Sequence, residues 1–556
     1  MAHVGMPLAP PSVGPLTLHG HDVEGVNRCV HCGLCLAYCP TFSILGTEMD
    51  SPRGRIFLVK ALAEGRLALS DTTVSHLDLC LGCRACETVC PSAVPYGQLI
   101  EAARAEIERQ RPGGPLRRLF RWLNFAVLLP NPRILGFAAA GLRFYQVSGV
   151  QRLVRATGLL KLLPSPLGEW EPLLPVLPPA AERAPLPALT PAAGTKRARV
   201  GLLTGCIQQV AFGPQNRATA RVLARNGAEV VAPPEQACCG ALHAHAGEHD
   251  WAVTLAKRDI EVFEAAKVDC VVVNTSGCGA HMKAYGTLLA DDPAWRERAE
   301  AFASRVRDLS EFLAEEPLRG PLGAVKKTVT YHDPCHIVHG QKISKPPRAL
   351  LAQIPGLTVV PLKEADWCCG SAGTYNLTQP EMARTLQERK VAHIRATGAE
   401  AVVTANPGCI IQIVQGLEAA GAPVKVLHLV ELLDESYRNA PSPSGSSPSG
   451  SSPSGPSPSG SSPSGPSPSG PSPYPLPRGA RESLNVSPPE RGARPNPPPP
   501  SGEPSHPSPP RREPSNFSPP ERGTTPIPSP PPRKPLEPAP PERGTPLNPS
   551  PQRGRG

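Results

Sequence analysis

Apolar residues recur along this chain in two rhythms. Arg199-Val-Gly-Leu-Leu-Thr-Gly205, Cys270-Val-Val-Val-Asn-Thr-Ser-Gly-Cys278, Thr328-Val-Thr-Tyr-His-Asp-Pro334 and Ala401-Val-Val-Thr-Ala-Asn-Pro-Gly-Cys409 are short apolar runs that end in turn residues, the pattern of buried strands. Trp251–Ala266 and Glu381–Ala396 carry the helical period instead. Strand and helix alternating at this spacing predict α/β units with parallel strands, whose carboxyl ends gather the functional loops. Nearer the amino terminus, Arg55-Ile-Phe-Leu-Val-Lys-Ala-Leu-Ala-Glu64 has apolar residues at helical intervals, and Gly65 supplies a stop. That region is expected to be helical, with loops between its helices. Leu116-Arg-Arg-Leu-Phe-Arg-Trp-Leu-Asn-Phe-Ala-Val-Leu-Leu129 reads as a basic amphipathic helix, suited to an anionic membrane surface or to docking on a neighbouring domain. Leu163–Ala193 is rich in Pro, Leu and Ala and reads as a semi-rigid linker.

Composition divides the chain further. With 74 Pro and 50 Gly among 556 residues, part of it cannot pack. Pro-Ser-Gly triplets and three Pro-Pro-Glu-Arg-Gly copies, at 488–492, 519–523 and 540–544, fill the carboxyl end and predict a disordered tail with local polyproline II. The expected fold is multidomain: an α-helical two-cluster ferredoxin domain, then duplicated α/β domains, then that tail. Its parts are a flexible terminus over 1–20, the ferredoxin domain over 21–111, the basic helical segment over 112–162 and a linker over 163–196. Two α/β domains over 197–320 and 321–438 and the tail over 439–556 complete it.

The formal net charge is +10, and about half of it lies in the tail, where 12 Lys/Arg face 7 Asp/Glu between Pro441 and Gly556. The remainder is not focused beside stacking aromatics, so no nucleic-acid partner is expected. Between Pro112 and Gly168, however, eight Lys/Arg occur with no acidic residue, which strengthens the reading of a surface-seeking segment. Met1 to Gly20 lacks a basic n-region and an apolar h-region, and no run of eighteen apolar residues occurs. A cytoplasmic location follows, with peripheral contact at the inner face of the membrane.

Seventeen cysteines in such a chain read as metal or redox groups before they read as disulfides. Cys29, Cys32, Cys35 and Cys39-Pro40 form C-x2-C-x2-C-x3-C-P, and Cys80, Cys83, Cys86 and Cys90-Pro91 repeat it. This is the bacterial ferredoxin run, in which the fourth cysteine of each run ligates the other cluster. Two [4Fe–4S] clusters are therefore expected, one on Cys29, Cys32, Cys35 and Cys90 and the other on Cys80, Cys83, Cys86 and Cys39. A zinc ribbon needs four ligands and would leave half of these cysteines without a role.

A second family of cysteines is duplicated. Cys206, Cys238-Cys239-Gly240 and Cys278 are separated by 31 and 38 residues; Cys335, Cys368-Cys369-Gly370 and Cys409 by 32 and 39. Adjacent cysteines are poorly placed to bond each other and well placed to face two metal atoms, and the glycine allows close backbone approach. All eight are candidates for a further cluster or a redox site. A single buried pair could pack as small hydrophobes, but that fits a duplicated set badly. His243, His245, His281, His332 and His336 stand near these motifs as ligands, hydrogen-bond partners or plain polar groups. Cys270 lies in an apolar strand and is expected in the core.

A double ferredoxin run followed by two such units resembles the iron–sulfur subunits of heterodisulfide reductase, anaerobic glycerol-3-phosphate dehydrogenase, lactate-utilisation systems and glycolate oxidase. Cys29-Val-His-Cys-Gly-Leu-Cys35, Gly46-Thr-Glu-Met-Asp-Ser-Pro-Arg-Gly-Arg-Ile56 and Trp367-Cys-Cys-Gly-Ser-Ala-Gly-Thr-Tyr-Asn376 look most like the glycolate oxidase iron–sulfur subunit, over roughly residues 22–435. The resemblance implies flavoprotein partners carrying FAD that oxidise glycolate to glyoxylate, with this chain passing the electrons to a quinone or another acceptor. A lactate or glycerol-3-phosphate dehydrogenase subunit, or a carrier with no fixed partner, would share every cysteine. The heterodisulfide reductase pattern ends in C-x-x-C and binds a noncubane cluster with five cysteines per unit. Here His281 and Gln412 stand at those last positions, which argues against that site and against disulfide reduction. No G-x-G-x-x-G follows an early strand, so flavin and substrate are expected on a partner.

Overall fold

The computed structural model describes residues 25–158, 160 and 170–441. All of them belong to the first of two compact units, Met1–Leu476. The expected flexible terminus, most of the expected tail and residues 163–169 of the expected linker lie outside the described residues.

The amino-terminal domain is helical. Its longest helices are α1 (Pro52–Ala63) and α2 (Tyr96–Gln110). Helix α1 starts where the Ser51 hydroxyl accepts from the Gly54 amide at 3.0 Å and Pro52 fills the first turn, where a missing N–H costs nothing. Gly54 is required there, because a Cβ would sit 1.9 Å from the Glu48 carbonyl oxygen. Leu58, Val59 and Leu62 of α1 pack on Leu99, Ile100 and Ala103 of α2, and each buried leucine contributes roughly 1.5–3 kcal/mol. The cysteine loops hang from this core.

The basic segment forms α3 (Pro115–Trp122), a wider π-type turn over Leu123–Leu128, α4 (Pro132–Val147) and α5 (Val150–Ala156). The continuous helix expected over Leu116–Leu129 thus widens at Leu123, and Pro130 and Pro132 turn the chain so that α3 with its π turn meets α4 at 110°. Among the described residues no single helix is long and apolar enough to cross a membrane.

Two parallel sheets follow. The first contains β1 (Leu189–Thr190), β2 (Ala198–Leu202), β3 (Ala228–Val231), β4 (Cys270–Val273) and β5 (Val306–Asp308) in the order β1-β3-β2-β4-β5. Helices α6 (Gly213–Arg225), α7 (His249–Ala265) and α8 (Leu309–Ala314) connect or follow its strands. The second sheet has β6 (Lys327–Tyr331), β7 (Leu357–Val360), β8 (Ala401–Thr404) and β9 (Lys425–His428) in the order β7-β6-β8-β9. Its helices include α9 (Lys345–Ala352), α10 (Pro380–Ala396) and α11 (Leu429–Arg438). In each sheet the first parallel strand is central and the order reverses beside it, the topology that opens a crevice at the carboxyl ends.

Two features differ from the sequence reading. The end of the expected linker is not free: β1 pairs antiparallel with β3, Leu189 opposite Val231, and closes the edge that β3 would otherwise expose. The two α/β units also pack closely on each other, which spacing along the chain does not reveal. Helix α11 packs on α6 through Arg221–Asp434 hydrogen bonds of 2.9 and 2.7 Å and Asn226–Tyr437 at 2.9 Å, so one buried core runs through both sheets. Cys270 is half-buried at the start of β4, at the edge of that core rather than inside it, because the strand begins there.

Candidate metal centres

The two ferredoxin runs fold into matching loops. His31 and Gly33 in the first, and Gly82 and Arg84 in the second, hold the left-handed conformation at equivalent positions between cysteines, with φ of 53°, 82°, 62° and 63°. One cavity is lined by Cys29, Cys32, Cys35 and Cys90, together with Arg53 and Ile56, and Cys86 reaches its wall. A second is lined by Cys39, Cys80, Cys83 and Cys86, together with Arg55 and Tyr96. The fourth cysteine of each run therefore stands in the cavity of the other.

The cavities differ in surroundings. Around the first, Cys32 is exposed and Cys29, Cys35 and Cys90 are half-buried; burial still pushes the Cys35 thiol up to about 11. Val30, Leu34 and Phe57 are exposed beside it. Around the second, Cys39, Cys80 and Cys86 are buried and Cys83 is half-buried. Burial pushes the Cys80 thiol up, but the Arg55 and Arg104 guanidiniums outweigh it and bring it below the ordinary value. Tyr96 Oη and the Gly82 amide each donate to Cys80 Sγ at 3.4 Å. Arg55, 1% exposed, donates to the His76 carbonyl at 2.7 Å and to Thr41 Oγ1 at 3.1 Å, faces Asp50 at 3.6 Å and reaches 4.0 Å from Cys39 Sγ. Sequence reading missed Arg55, because within α1 it looks like one more basic residue on a solvated face.

The second family of cysteines occupies the carboxyl ends of the sheets. Cys206 follows β2, Cys238-Cys239 follows β3 and Cys278 follows β4; Cys335, Cys368-Cys369 and Cys409 follow β6, β7 and β8 in the same way. The thiols act on one another in sequence from Cys206 through Cys238 and Cys239 to Cys278, and from Cys335 through Cys368 and Cys369 to Cys409. The neighbouring Cys238 and Cys368 thiols, together with burial, push the Cys206 and Cys335 thiols well above the ordinary range. Gly370 has φ 91°, and a Cβ there would lie 2.5 Å from the Ala383 carbonyl oxygen of α10, so glycine lets the cysteine pair pack against that helix. None of the seventeen cysteines forms a disulfide.

The second ferredoxin cavity abuts the second α/β unit. Leu81 and Cys83 share a buried cluster with Cys335, Cys368 and Tyr375, and Tyr375 Oη donates to the Leu79 carbonyl at 2.9 Å. His336 Nε2 donates to the Gly82 carbonyl at 3.2 Å. Thr88 Oγ1 lies 2.9 Å from His339 Nδ1, and His339 Nε2 donates to the Asp366 carbonyl at 3.1 Å. The candidate histidines of the first unit make other bonds. His243 Nε2 donates to the Phe125 carbonyl at 2.8 Å, anchoring the basic segment, and His245 meets Glu101 of α2 at 2.8 Å. Gln412 is tied up structurally, donating to the Ala383 carbonyl at 3.3 Å and accepting from Asn376 at 3.1 Å. His281 Nε2 and both ring nitrogens of His332 are buried without a hydrogen-bond partner.

Comparison with known proteins agrees with this layout. A family model described as a 4Fe-4S dicluster domain matches residues 25–94, one described as a cysteine-rich domain matches 200–283 and 329–414, and one described as the linker region of the glycolate oxidase iron-sulfur subunit matches 116–174. The chain is 42% identical over 420 residues to the probable glycolate oxidase iron-sulfur subunit of Bacillus subtilis, covering 75% of this chain and 95% of that protein. It is 34% identical over 419 residues to the glycolate oxidase iron-sulfur subunit of Escherichia coli, covering 74% and 94%. Lactate utilization protein A of an Exiguobacterium species is 35% identical over 242 residues, 43% of this chain and 99% of that one. That shorter relative lacks a counterpart to more than half of this chain, whereas the first two run nearly end to end with its described part. The chain belongs to the family of glycolate oxidase iron–sulfur subunits.

Proposed function

We propose that this chain is the electron-transfer subunit of a flavin-dependent glycolate oxidase complex and holds two [4Fe–4S] clusters. The observation that carries the reading is the pair of four-cysteine cavities within a chain 42% identical, over 95% of that protein's length, to a probable glycolate oxidase iron-sulfur subunit. The donor sets fit the groups: Cys29, Cys32, Cys35 and Cys90 would hold one cluster, and Cys80, Cys83, Cys86 and Cys39 the other. A cluster bound in either cavity supplies one-electron transfer. The chain's own residues tune and insulate it. Arg55 sets a buried positive charge beside Cys39 and Cys80, Tyr96 and Gly82 direct hydrogen-bond donors at Cys80, and the packing of α1 on α2 holds Arg55 and Tyr96 in place.

The two cavities suit different neighbours. Exposed Cys32, rimmed by the apolar Val30, Leu34 and Phe57, suits docking of a flavoprotein that carries FAD and oxidises glycolate to glyoxylate. The second cavity, packed on Cys335 and Cys368, suits passage toward the duplicated units and then a quinone or other acceptor. Exposed Leu116, Trp122, Phe137 and Phe144 on α3 and α4, among basic residues, support peripheral contact with the cytoplasmic face of the membrane. Co-purification tests the assignment. The complex should contain a flavoprotein whose flavin glycolate reduces; reduction by lactate or glycerol 3-phosphate alone would move the chain to another dehydrogenase. Deletion of this chain should abolish glycolate-dependent dye reduction, and its survival would leave only a carrier role.

A further inference from the structure

We propose that the second cysteine-rich unit, and not the first, holds an iron–sulfur centre of its own, in which the His332 imidazole joins the thiolates of Cys369 and Cys409. One donor atom from each of these three residues lies within 4.8 Å of the others, and all three residues are buried. Ligands of one tetrahedral metal atom stand roughly 3.3–3.8 Å apart, given bond lengths near 2.0–2.3 Å, so small rotations would bring the three onto one iron. Cys368 and Cys335 continue the line of sulfurs outward from Cys369.

His332 is the residue that points to a ligand. It is fully buried, and neither Nδ1 nor Nε2 makes a hydrogen bond of normal geometry, the Ala365 carbonyl being the acceptor that lies near enough to act on the ring. A buried unsatisfied donor or acceptor costs about 1–3 kcal/mol, a cost that a bound metal atom removes from one nitrogen. Elsewhere His243, His245, His336 and His339 each have a partner on at least one ring nitrogen, while His281 of the first unit is left with Nε2 unpartnered.

The duplication supplies an internal comparison. His332 is the first residue after β6, and its amide donates to the Val403 carbonyl at 2.9 Å; Leu203 is the first after β2, and its amide donates to the Val272 carbonyl at 3.1 Å. The two positions are equivalent, and the first unit has a leucine there, packed in its core. A second exchange concerns charge. The eleventh residue of α10 is Lys390 and the eleventh of α7 is Asp259, both at most 2% exposed. Lys390 lies close enough to act electrostatically on Cys368, Cys369 and His332. Asp259 instead accepts from the Ala237 amide at 3.1 Å and from Tyr285 Oη at 3.3 Å, beside Cys238 and Cys239. Thiolates around iron carry negative charge, which the buried Lys390 ammonium balances, whereas Asp259 brings no positive charge to the first unit. Both exchanges favour a centre in the second unit alone.

The inference rests on reading the chain as an iron–sulfur subunit but not on its substrate. The test uses the full chain purified anaerobically with its flavoprotein partners. Wild type should contain iron and sulfide beyond the roughly eight irons of two four-iron clusters, and pulsed paramagnetic resonance should find imidazole nitrogen coupled to the additional centre. His332→Leu, which copies the first unit, should lose that coupling, and Cys409→Ser should lose the additional iron. Cys278→Ser should retain both. Full-intensity signals from the two ferredoxin clusters certify the fold in every variant. No iron beyond about eight in wild type, zinc in place of the additional iron, nitrogen coupling that survives in His332→Leu, or equal loss in Cys278→Ser would each overturn the proposal. A nitrogen-coupled centre in a complex that glycolate does not reduce would leave the inference standing and remove the functional reading.

Discussion

Replacing Arg55 should shift the potential of one ferredoxin cluster and leave the other nearly unchanged. Its guanidinium is buried, stands 4.0 Å from Cys39 Sγ, and has no comparable counterpart in the first cavity, where Arg53 is partly exposed. A unit charge at about 4 Å acts with about 4 kcal/mol at an effective dielectric constant near 20. For one electron, about 1.4 kcal/mol corresponds to 59 mV, so the ceiling is near 170 mV. Two features lower it. Asp50, at 3.6 Å, offsets part of the charge, and an added electron spreads over a cluster whose centre lies beyond its ligand sulfur. The expected result for Arg55→Gln is a fall of roughly 50–100 mV in the midpoint potential of one cluster, with the other shifted far less. Arg55→Lys should recover most of the fall. Losing one partner of a buried pair costs about 3–5 kcal/mol, so both variants need a check of cluster content before titration. The assay is an anaerobic redox titration followed by paramagnetic resonance. Equal shifts in both clusters, or none in either, would refute the placement of Arg55 beside one cluster only.

Three further outcomes are expected. Burial pushes the Asp259 carboxyl up to about 7, so its neutral form is favoured in the folded state and stability falls as pH rises from about 4 to about 7, by up to about 4 kcal/mol. Asp259→Asn should therefore gain on wild type in anaerobic melting temperature as pH rises through that window, and a difference that does not change with pH would contradict the burial argument. Removal of residues 441–556 should leave iron content and glycolate-dependent dye reduction intact, and loss of either would give the tail a role in the core activity. The protein should sediment with anionic vesicles at low salt and release as salt rises, and Trp122→Asp with Phe137→Asp should weaken that binding severalfold. Failure to bind even at low salt would assign the exposed apolar face of α3 and α4 to a protein partner.

Much of this architecture is legible in the sequence because spacing constrains it. Cysteines two residues apart can only line one small cavity, and a repeated set some 130 residues on, each member preceded by an apolar run, implies a repeated sheet with its loops at one end. Helix α1 follows from the apolar period after Ser51-Pro52, a cap that also fixes its start. What spacing does not carry is pairing across long distances. Nothing local says that α11 crosses to α6, that β1 closes the first sheet, or that Arg55 turns inward toward Cys39. The segment expected as one helix widens to a π-type turn at Leu123, and the chain turns only past its end, at Pro130 and Pro132. The exchanges of Leu203 for His332 and of Asp259 for Lys390 lay within reach of the sequence. Setting the two copies side by side reveals both, but only burial shows that a histidine without partners and a buried lysine face the same thiols.

The central claim is that glycolate-derived electrons reach clusters held by this chain. Its most direct test is paramagnetic resonance of the anaerobic complex frozen during reduction by glycolate. The account predicts reduced [4Fe–4S] signals that grow with glycolate, of which the second cavity's is lost and the first cavity's is kept when Cys83→Ser removes a ligand from the second cavity. Signals that dithionite elicits while glycolate leaves the clusters oxidised would contradict it.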